Sequence, residues 1–316
     1  MPATLPGARG AVITGWGSAL PERVVTNADL TATLDTSDEW IKERSGISER
    51  HIGGTTAGLS VASGRAALLM AGLDPSEIDA LVLSTTTPDR TVPATSAHVQ
   101  NALGLSCGAF DVNAACSGFV YALTVAHGLI AVGARKVLVI GTDTLSRITD
   151  WSDRNTAVLF ADGSGAVVLE AVDGPGQLLA WDIDSDGSAE DLLYSDIGGF
   201  IHMEGKEVFR RAVRIMVDSA KKSLAKAGLT IDDVKLCVPH QANLRIIDAA
   251  CRQLNIPMER TAVVLQETGN TSSASIPLAL FDAADRGRLA TGDIVLLVGF
   301  GAGMTAASAV IEWNAP

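Results

Sequence analysis

The sequence is poor in aromatic residues and in positive charge. Phenylalanine, tryptophan and tyrosine together make up 4% of the 316 residues, and 24 lysines and arginines stand against 36 aspartates and glutamates. The resulting net charge of −12 has the same sign as nucleic-acid phosphates, whereas proteins that bind phosphate backbones generally carry the opposite sign. We therefore expect no nucleic-acid partner.

Cysteine is also scarce, and its spacing excludes two common uses. The four cysteines are widely separated and form no Cys-x-x-Cys pair; they are Cys107, Cys116, Cys237 and Cys251. Neither a zinc ribbon nor a disulfide framework fits this spacing. We therefore expect no bound metal and a reducing, cytoplasmic environment.

No apolar run is long enough to predict a membrane span. The longest, residues 118–134, contains Thr124 and His127 and is shorter than the ~20 residues that cross a bilayer. The mildly apolar segment 11–20 lacks the features of a secretory signal and is predicted to form a first strand. Because 47% of the residues are apolar, we expect a large buried core and no membrane partner.

The chain contains an approximate internal duplication. The segment 113–123 resembles 270–280, since both begin with Asn and continue into an apolar helical pattern, and the following strand-like segment 134–141 resembles 292–299. The pattern is interrupted near Asp173-Gly-Pro-Gly176, so we predict two related halves, residues 1–173 and 174–316. A chance alignment of two helix–strand units is the alternative.

Continuous apolar runs predict strands that are buried on both faces. They are residues 80–83, 137–140, 263–265 and 294–298. Helical patterns lie between them, at 64–71, 119–132, 207–227, 244–254 and 275–284. This alternation predicts a layered α/β fold.

Three reactive side chains follow predicted strands, where α/β folds gather their chemistry. Cys116 begins a predicted helix, whose N-terminus favours a thiolate and can hold an oxyanion; His240 and Asn270 each follow a strand. Considered singly, Cys116 would be a small buried side chain, His240 a structural histidine and Asn270 a turn former. Together they supply the nucleophile, imidazole and amide donor that acyl transfer through a thioester requires.

Longer motifs around these residues resemble those of the β-ketoacyl-acyl-carrier-protein synthase III family, which belongs to the thiolase-like superfamily. They are Thr36-Ser-Asp-Glu-Trp-Ile41, Arg44-Ser-Gly-Ile47, Ala114-Ala-Cys-Ser-Gly-Phe119, Val238-Pro-His-Gln-Ala-Asn-Leu-Arg245, Gly269-Asn-Thr-Ser272 and Gly299-Phe-Gly-Ala-Gly-Met304. The resemblance runs almost end to end. It implies a thiolase-like, five-layered αβαβα fold with two pseudo-symmetric halves, and a homodimer with a continuous sheet.

The resemblance also implies a reaction. Cys116 would take an acyl group from acyl-CoA, and a malonyl group on acyl carrier protein would then lose CO2 and attack it. His240 and Asn270 would donate hydrogen bonds to the malonyl thioester oxygen. The backbone N–H groups of Cys116 and Ala302 would form the oxyanion hole. No cofactor is implied, because acyl-CoA is a substrate.

Substrate and partner contacts follow from the same resemblance. Trp40 and Arg154 would enclose the CoA adenine, Arg44 would lie near the phosphates, and Asn243 would line the pantetheine tunnel. Residues 206–226 contain seven basic residues against two acidic ones, which is consistent with docking of an acidic carrier protein. The candidates for this docking are Arg210, Arg214 and Arg245. A solvated helix face is the alternative explanation of the charge run.

Some positions depart from the family pattern. Ala306-Ala307 stand where Trp-Gly is usual, Lys206 where Asn is common, and Glu267-Thr268 precede Gly-Asn where a charged and an aromatic residue are common. Val92 and Phe300 are the candidates for the acyl pocket, and a side chain as small as Val92 suggests a starter larger than acetyl.

The departures leave two other functions open. One is condensation or acyl transfer in a specialised pathway, such as a polyketide starter step or synthesis of a biotin precursor. The other is a catalytically silent module that binds acyl carrier protein.

Overall fold

Two mixed sheets organise the protein. The computed structural model describes residues 9–314. Its strands, in chain order, are β1 Gly10–Ala19, β2 Val24–Thr26, β3 Glu49–His51, β4 Ala80–Ser84, β5 Gly108–Val112, β6 Lys136–Thr144, β7 Asp162–Val172, β8 Leu178–Ser185, β9 Leu193–Tyr194, β10 His202–Met203, β11 Val234–Pro239, β12 Ile294–Gly301 and β13 Thr305–Glu312.

The first sheet has the strand order β1-β7-β6-β4-β5. Its centre is parallel, with Val82 of β4 opposite Val139 of β6 and Phe110 of β5, whereas β7 runs antiparallel to both β6 and β1. The central strands β4 and β6 are buried on both faces, which is why their sequences are unbroken apolar runs. β5 lies at the edge of this sheet.

The second sheet has the order β11-β12-β13-β8. β11 is parallel to β12, and β13 is antiparallel to both β12 and β8. The pairs β2–β3 and β9–β10 form separate two-stranded sheets. The predicted division of the chain after residue 173 falls between β7 of the first sheet and β8 of the second.

Nine helices lie around the two sheets in the described part of the chain. They are α1 Asn27–Thr31, α2 Asp38–Ser45, α3 Thr56–Ala71, α4 Thr95–Leu103, α5 Gly118–Ala131, α6 Gly205–Ala227, α7 Leu244–Leu254, α8 Leu265–Thr268 and α9 Ser275–Asp285. α3 and α4 cover the outer face of the first sheet, and α6 covers the outer face of the second with α7 beside it. α5 and α9 lie between the sheets, which completes five layers in the order αβαβα and confirms the predicted fold class.

The central layer is apolar because it has no solvent face. Phe119 and Leu123 of α5 and Ile276 and Phe281 of α9 are each at most 2% exposed, and they share one hydrophobic cluster with strands from both sheets. The two segments that resemble each other in sequence therefore hold equivalent places, since each ends in a central helix that is followed by a long buried strand, β6 or β12.

One predicted strand is wrong. Residues 263–265 form no strand: Thr261 makes only an isolated bridge to Cys237 of β11, and α8 begins at Leu265. The N–H groups of Val264 and Leu265 donate to the side-chain oxygen of Gln241, at 3.0 and 3.3 Å, so they are satisfied without a sheet neighbour.

α3 is longer than predicted. It starts at Thr56, where the Thr55 side chain caps the helix, and not at residue 64. Small residues dominate its first turns, so they gave little helical periodicity to detect. No helix within residues 9–314 is long and apolar enough to cross a membrane.

The close packing of α3 on β1 predicts the effect of a small substitution. A methyl group on Gly17 would collide with the carbonyl oxygen of Ser63 and lie 2.6 Å from Cβ of Ala66, so Gly17→Ala should lower the free energy of unfolding by about 2 kcal/mol. Gly187→Ala is the control, because nothing lies within 4 Å of a methyl group there. Thermal unfolding followed by circular dichroism tests both, and equal midpoints would contradict this packing.

Candidate active site

Cys116 lies in the connection between β5 of the first sheet and the central helix α5. After β5 ends at Val112, the Asn113 side chain accepts a hydrogen bond from the N–H of Ala115 at 3.3 Å. Residues 115–117 form one 3-10 turn, with Ala115 at a φ of +48°, and α5 follows without a break. The structure thus places Cys116 immediately before the helix, with part of its surface accessible.

The glycine-rich segment after β12 packs directly on this turn. A methyl group on Gly301 would lie only 2.7 Å from the backbone nitrogen of Cys116, so only glycine allows this approach. The Thr305 hydroxyl donates to the carbonyl of Ala114 at 3.0 Å. Within residues 9–314 the N–H groups of Cys116 and Ala302 donate to no oxygen, and they are thus available to a substrate oxygen.

His240 follows β11 and is held from one side. Its Nδ1 lies 2.6 Å from the Ser275 hydroxyl oxygen, which also accepts a hydrogen bond from the N–H of Gln241 at 3.3 Å. The ring of Phe300 meets the imidazole edge-on, with 5.4 Å between centroids. Burial lowers the pKa of His240 to about 3, so the imidazole is neutral at pH 7.

Asn270 occupies a turn that Gly269 makes possible. Gly269 has φ +66° and ψ −168°, a region that is almost restricted to glycine. The backbone of Asn270 then pairs with Leu159 and Ala161, and its side-chain oxygen accepts a hydrogen bond from the N–H of Ser272 at 2.9 Å. Among residues 9–314 the Asn270 amide NH2 has no hydrogen-bond acceptor, so it can donate to a substrate.

The three predicted residues meet at one place. A methyl group on Gly299 would lie 3.5 Å from Cβ of His240 and 3.7 Å from the carbonyl oxygen of Cys116. The segment that begins at Asn270 contacts both of these residues, because its turn at residues 272–274 packs on the turn that holds Cys116 and Ser275 hydrogen-bonds to His240. The arrangement provides a sulfur nucleophile, a neutral imidazole and an amide donor.

The resting nucleophile differs from the sequence expectation. We expected the helix N-terminus to favour a thiolate, but burial raises the pKa of Cys116 to about 12. The negative charge of Asp143 raises this pKa further, whereas the Ser272 side chain lowers it. Desolvation therefore outweighs the helix end. The thiol proton must leave when the sulfur attacks a carbonyl.

Asp143 is a buried site residue that the sequence analysis missed. It is the second-last residue of β6, and one carboxylate oxygen accepts hydrogen bonds from the Thr86 N–H at 2.7 Å and from the hydroxyls of Thr85 and Thr87 at 3.0 Å. The other oxygen accepts from the N–H of Ser273 at 3.0 Å. Burial raises the pKa of Asp143. Its only sequence signal was its position at a strand end.

The four residues predicted to bind CoA lie together. The guanidinium groups of Arg154 and Arg44 lie 5.1 and 5.4 Å from the centre of the Trp40 ring. The Asn243 side chain donates to the carbonyl of Arg44 at 2.9 Å and accepts from the N–H of Arg245. Its amide is therefore already engaged, which makes Asn243 a residue that shapes this surface.

The basic run on α6 is largely paired with acidic residues. Arg210 pairs with Glu207 at 2.7 Å, and Arg211, Lys222 and Lys226 pair with aspartates of β8 and the residue after it; these are Asp182, Asp184 and Asp186. Counting charges along residues 206–226 missed these partners, because β8 reaches α6 only through the fold. Arg245 forms no ion pair among residues 9–314 and stacks on Phe209 at 5.8 Å.

The two acyl-pocket candidates have different surroundings. Phe300 is 3% exposed and contacts His240, whereas Val92 is 80% exposed.

The positions that depart from the family pattern are also spread out. Ala306 and Ala307 are buried in β13, Lys206 is exposed in the first turn of α6, and Glu267-Thr268 belong to α8.

Comparisons with known proteins find similar sequences and similar folds. Residues 110–187 match the family model described as 3-oxoacyl-[acyl-carrier-protein (ACP)] synthase III, and residues 224–313 match the model of its C-terminal part. A beta-ketoacyl-[acyl-carrier-protein] synthase III from Roseiflexus castenholzii is 50% identical over 96% of this chain and 98% of its own.

Solved structures are similarly close. The 3-oxoacyl-[acyl-carrier-protein] synthase III from Aquifex aeolicus VF5 has a TM-score of 0.94 at 44% identity, over 96% of this chain and all of its own. A priming beta-ketosynthase from the R1128 polyketide pathway has a TM-score of 0.92 at 38% identity, with both chains fully covered.

One buried and one half-buried histidine predict a loss of stability in acid. Burial lowers the pKa of His240 to about 3 and that of His127 to about 4, whereas both titrate near 6.5 when unfolded. Below about pH 6.5 the unfolded chain therefore binds protons first, and the free energy of unfolding falls as the pH decreases toward 4. Thermal midpoints should show less of this fall in His127→Gln and an unchanged fall in the exposed-residue control His98→Gln. Equal acid sensitivity of all three proteins would contradict the burial effect.

Proposed function

Because this chain belongs to the 3-oxoacyl-[acyl-carrier-protein] synthase III family, we propose that it joins an acyl-CoA to malonyl-acyl carrier protein through an acyl group carried on Cys116. The reaction is a decarboxylative Claisen condensation that yields β-ketoacyl-acyl carrier protein and initiates fatty-acid synthesis. The chain is thus an acyltransferase. The family resemblance found in its sequence motifs is confirmed.

One observation carries the assignment to residues. The turn at residues 272–274 packs on the turn that holds Cys116, and Ser275 hydrogen-bonds to His240, so the segment that begins at Asn270 meets both the nucleophile and the imidazole. A silent binding module would have no need of this convergence.

Acylation begins with attack of the Cys116 sulfur on the acyl-CoA carbonyl. The new C–S bond forms as the bond to CoA breaks, and the carbonyl oxygen gains negative charge in between. The free N–H groups of Cys116 and Ala302 are the donors we assign to this oxygen. Removal of one such donor typically costs ~100-fold or more in rate.

Condensation uses the two side chains. When the malonyl group loses CO2, its thioester oxygen carries the negative charge of an enolate. His240 and the Asn270 amide donate hydrogen bonds to that oxygen, and the enolate carbon attacks the acyl group on Cys116. Because His240 is neutral, it stabilises the enolate as a hydrogen-bond donor, without a full positive charge.

We assign CoA to the surface formed by Trp40, Arg44, Arg154 and Asn243. Two guanidinium groups beside an indole suit stacking on adenine and contact with phosphates. In the structure these groups lie close to one another, so the indole and the two guanidinium groups that would contact the adenine are already gathered on one surface. No cofactor enters the proposal, because acyl-CoA is a substrate.

The carrier protein would dock on the side of α7 and α6. Arg245 is its strongest contact in this proposal, because the residue is exposed and has no ion pair among residues 9–314. Arg210 and Arg214 are also candidates, and their exposed pairs with Glu207 and Asp218 can exchange for acidic groups of a partner at little cost.

A homodimer in the cytoplasm is also part of the proposal. β5 has only one neighbour in its sheet, and Phe110 on it is 39% exposed, so pairing of two β5 edges would join two first sheets. Val92, which is 80% exposed, would then face the acyl pocket of the partner.

A priming step in a specialised pathway is the second candidate. It is favoured by the structural likeness to the R1128 priming enzyme, but the 38% identity to that enzyme is lower than the 50% to the Roseiflexus castenholzii synthase III.

Intact-protein mass spectrometry after incubation with mixed acyl-CoAs tests the nucleophile and reports the preferred starter. Wild-type protein should gain one acyl mass, and Cys116→Ala should gain none. His240→Ala and Asn270→Ala should still acquire an acyl group but lose most condensation with malonyl-acyl carrier protein, because the enolate loses a donor. Acylation of Cys116→Ala to the wild-type level would contradict the assignment. Turnover of acetyl or short branched starters supports fatty-acid initiation over the second candidate.

Charge reversal on α7 tests carrier docking. Arg245→Glu should raise KM for malonyl-acyl carrier protein about tenfold, which corresponds to ~1.4 kcal/mol, and leave acylation by acyl-CoA unchanged. Arg252→Glu on the same helix is the matched control, since Arg252 already pairs with Asp248 at 2.9 Å. The difference should shrink in high salt, and equal KM values for both variants would contradict docking at Arg245.

A further inference from the structure

A fully buried glutamine joins the end of β11 to the segment that begins α8. The side-chain NH2 of Gln241 donates to the carbonyls of Pro239 at 2.7 Å and Ala262 at 3.1 Å. Its side-chain oxygen accepts from the N–H groups of Val264 at 3.0 Å and Leu265 at 3.3 Å. A carboxamide has two donor and two acceptor positions, so Gln241 uses its complete hydrogen-bonding capacity on the backbone.

The main chain does not make this connection by itself. In the first sheet, β5 pairs with β4 from end to end. In the described part of the second sheet, the free edge of β11 has a single isolated bridge, between Cys237 and Thr261. From residue 262 to residue 265, the Gln241 side chain therefore provides the hydrogen bonds that a neighbouring strand would otherwise supply.

The helix α8 carries this anchoring forward to Asn270. Because α8 begins at Leu265, the Gln241 oxygen satisfies an N–H group at the start of the helix. At the other end of α8, the N–H of Gly269 donates to the carbonyl of Leu265 at 3.0 Å. A single helical turn therefore separates the contact with Gln241 from Asn270.

The backbone of Gln241 also takes part in holding His240. The N–H of Gln241 donates to the Ser275 hydroxyl oxygen at 3.3 Å, and the same oxygen lies 2.6 Å from Nδ1 of His240. The N–H of His240 donates to the carbonyl of Val298 in β12 at 2.8 Å. Gln241 is thus bonded to the supports of both side chains that we assign to the enolate oxygen.

We propose that Gln241 is a positioning residue that fixes the separation of His240 and Asn270 for the condensation step. The inference rests on the proposed function, because it concerns one half of that reaction. Two donors stabilise a single oxygen only when both reach it at hydrogen-bond distance, and an error of about 1 Å in such an arrangement can cost on the order of 100-fold in rate. Gln241 touches no reacting atom and acts through α8 and Ser275.

The proposal separates the two half-reactions. Acylation uses Cys116 and the N–H of Ala302, which lie in the turns at residues 115–117 and 302–304. Among residues 9–314, Gln241 makes no hydrogen bond to either turn. Loss of the Gln241 carboxamide should therefore impair condensation and spare acylation. A neutral replacement also leaves the charge around Cys116 unchanged.

Gln241→Met tests this separation, because it keeps the length of the side chain and removes all four of its hydrogen bonds. Acylated protein should react with saturating malonyl-acyl carrier protein about tenfold more slowly than wild type, whereas acylation by acyl-CoA should keep its rate. Quenched-flow mass spectrometry measures the two steps as the gain and the loss of acyl mass on Cys116. An unchanged condensation rate, or an equal fall of both rates, would overturn the role of Gln241.

Gln241→Glu tests whether the contact with α8 is the important one. At about pH 6 burial keeps the introduced carboxylic acid protonated, so it retains the acceptor for Val264 and Leu265 and one of the two donors. Condensation should then return to within about threefold of the wild-type rate measured at the same pH. A Glu variant as slow as the Met variant would overturn the proposal.

Gln177→Met is the matched control. Gln177 is also a buried glutamine, and its side-chain oxygen accepts from the N–H of Ile13 at 2.7 Å, but it joins β1 to the start of β8 and lies in neither segment that leads to a site residue. Gln177→Met and Gln241→Met should both lower the thermal midpoint, and only Gln241→Met should lower the ratio of condensation to acylation. An equal fall of this ratio in Gln177→Met would overturn the proposal, because general destabilisation would then explain it.

A second variant keeps the test decisive if Gln241→Met does not fold. Gln241→Asn stays polar but is one methylene shorter, so it cannot make all four hydrogen bonds, and the same selective loss of condensation is expected. Wild-type protein that takes up no acyl group would overturn the proposed function. Wild-type turnover with an unchanged ratio of the two rates in the Gln241 variants would overturn only the positioning role.

Discussion

The burial of two apolar helices between two sheets fixes the geometry on which the chemistry depends. Phe119 at the start of α5 and Ile276 at the start of α9 are each 1% exposed, and burying one such side chain contributes roughly 1.5–3 kcal/mol. Cys116 directly precedes α5, and Asn270 and Ser272 lead into α9. The first turns of these helices cannot move apart without opening the core, so hydrophobic packing sets the distance between the nucleophile and its partners.

A buried site of this kind must pair most of its own polar groups. The few groups that remain unpaired are those that a substrate can use. The Asn270 oxygen, Nδ1 of His240 and both oxygens of Asp143 have partners within the protein. Among residues 9–314, the Asn270 amide, Nε2 of His240 and the two oxyanion-hole N–H groups have no oxygen acceptor. An unpaired buried donor costs free energy, and a thioester oxygen can recover that cost.

Local periodicity was enough to predict the core helices, the long strands and the residues at their ends. α7 was placed at its observed bounds, because its apolar stripe is regular and Asn243 caps it. The strand predicted at 263–265 does not form, because the N–H groups of Val264 and Leu265 donate to the side chain of Gln241. That contact joins positions more than twenty residues apart, so no local pattern could reveal it.

Asp143, the site residue that the sequence analysis missed, escaped notice for the same reason. It is a common residue type with no periodicity, and it reaches the turn after Asn270 through a contact with Ser273 that spans 130 positions. The ion pairs of α6 were missed for a related reason, since Asp182 and Asp184 lie on β8 and meet the helix only because this strand packs against it. Sequence reasoning finds reactive groups at strand ends, but it does not find the partners that tune them.

The internal duplication explains how two distant segments meet so closely. Each half makes the same turn, with an asparagine side chain holding the N–H two residues on, a residue at φ near +50° and a central helix that follows. In the first half the residue after the positive-φ position is Cys116. In the second half the positive-φ position itself is Ser272, in a turn that packs on the one holding Cys116. Two turns of similar form therefore direct two helix ends to one place, and the side chains that these turns carry are different.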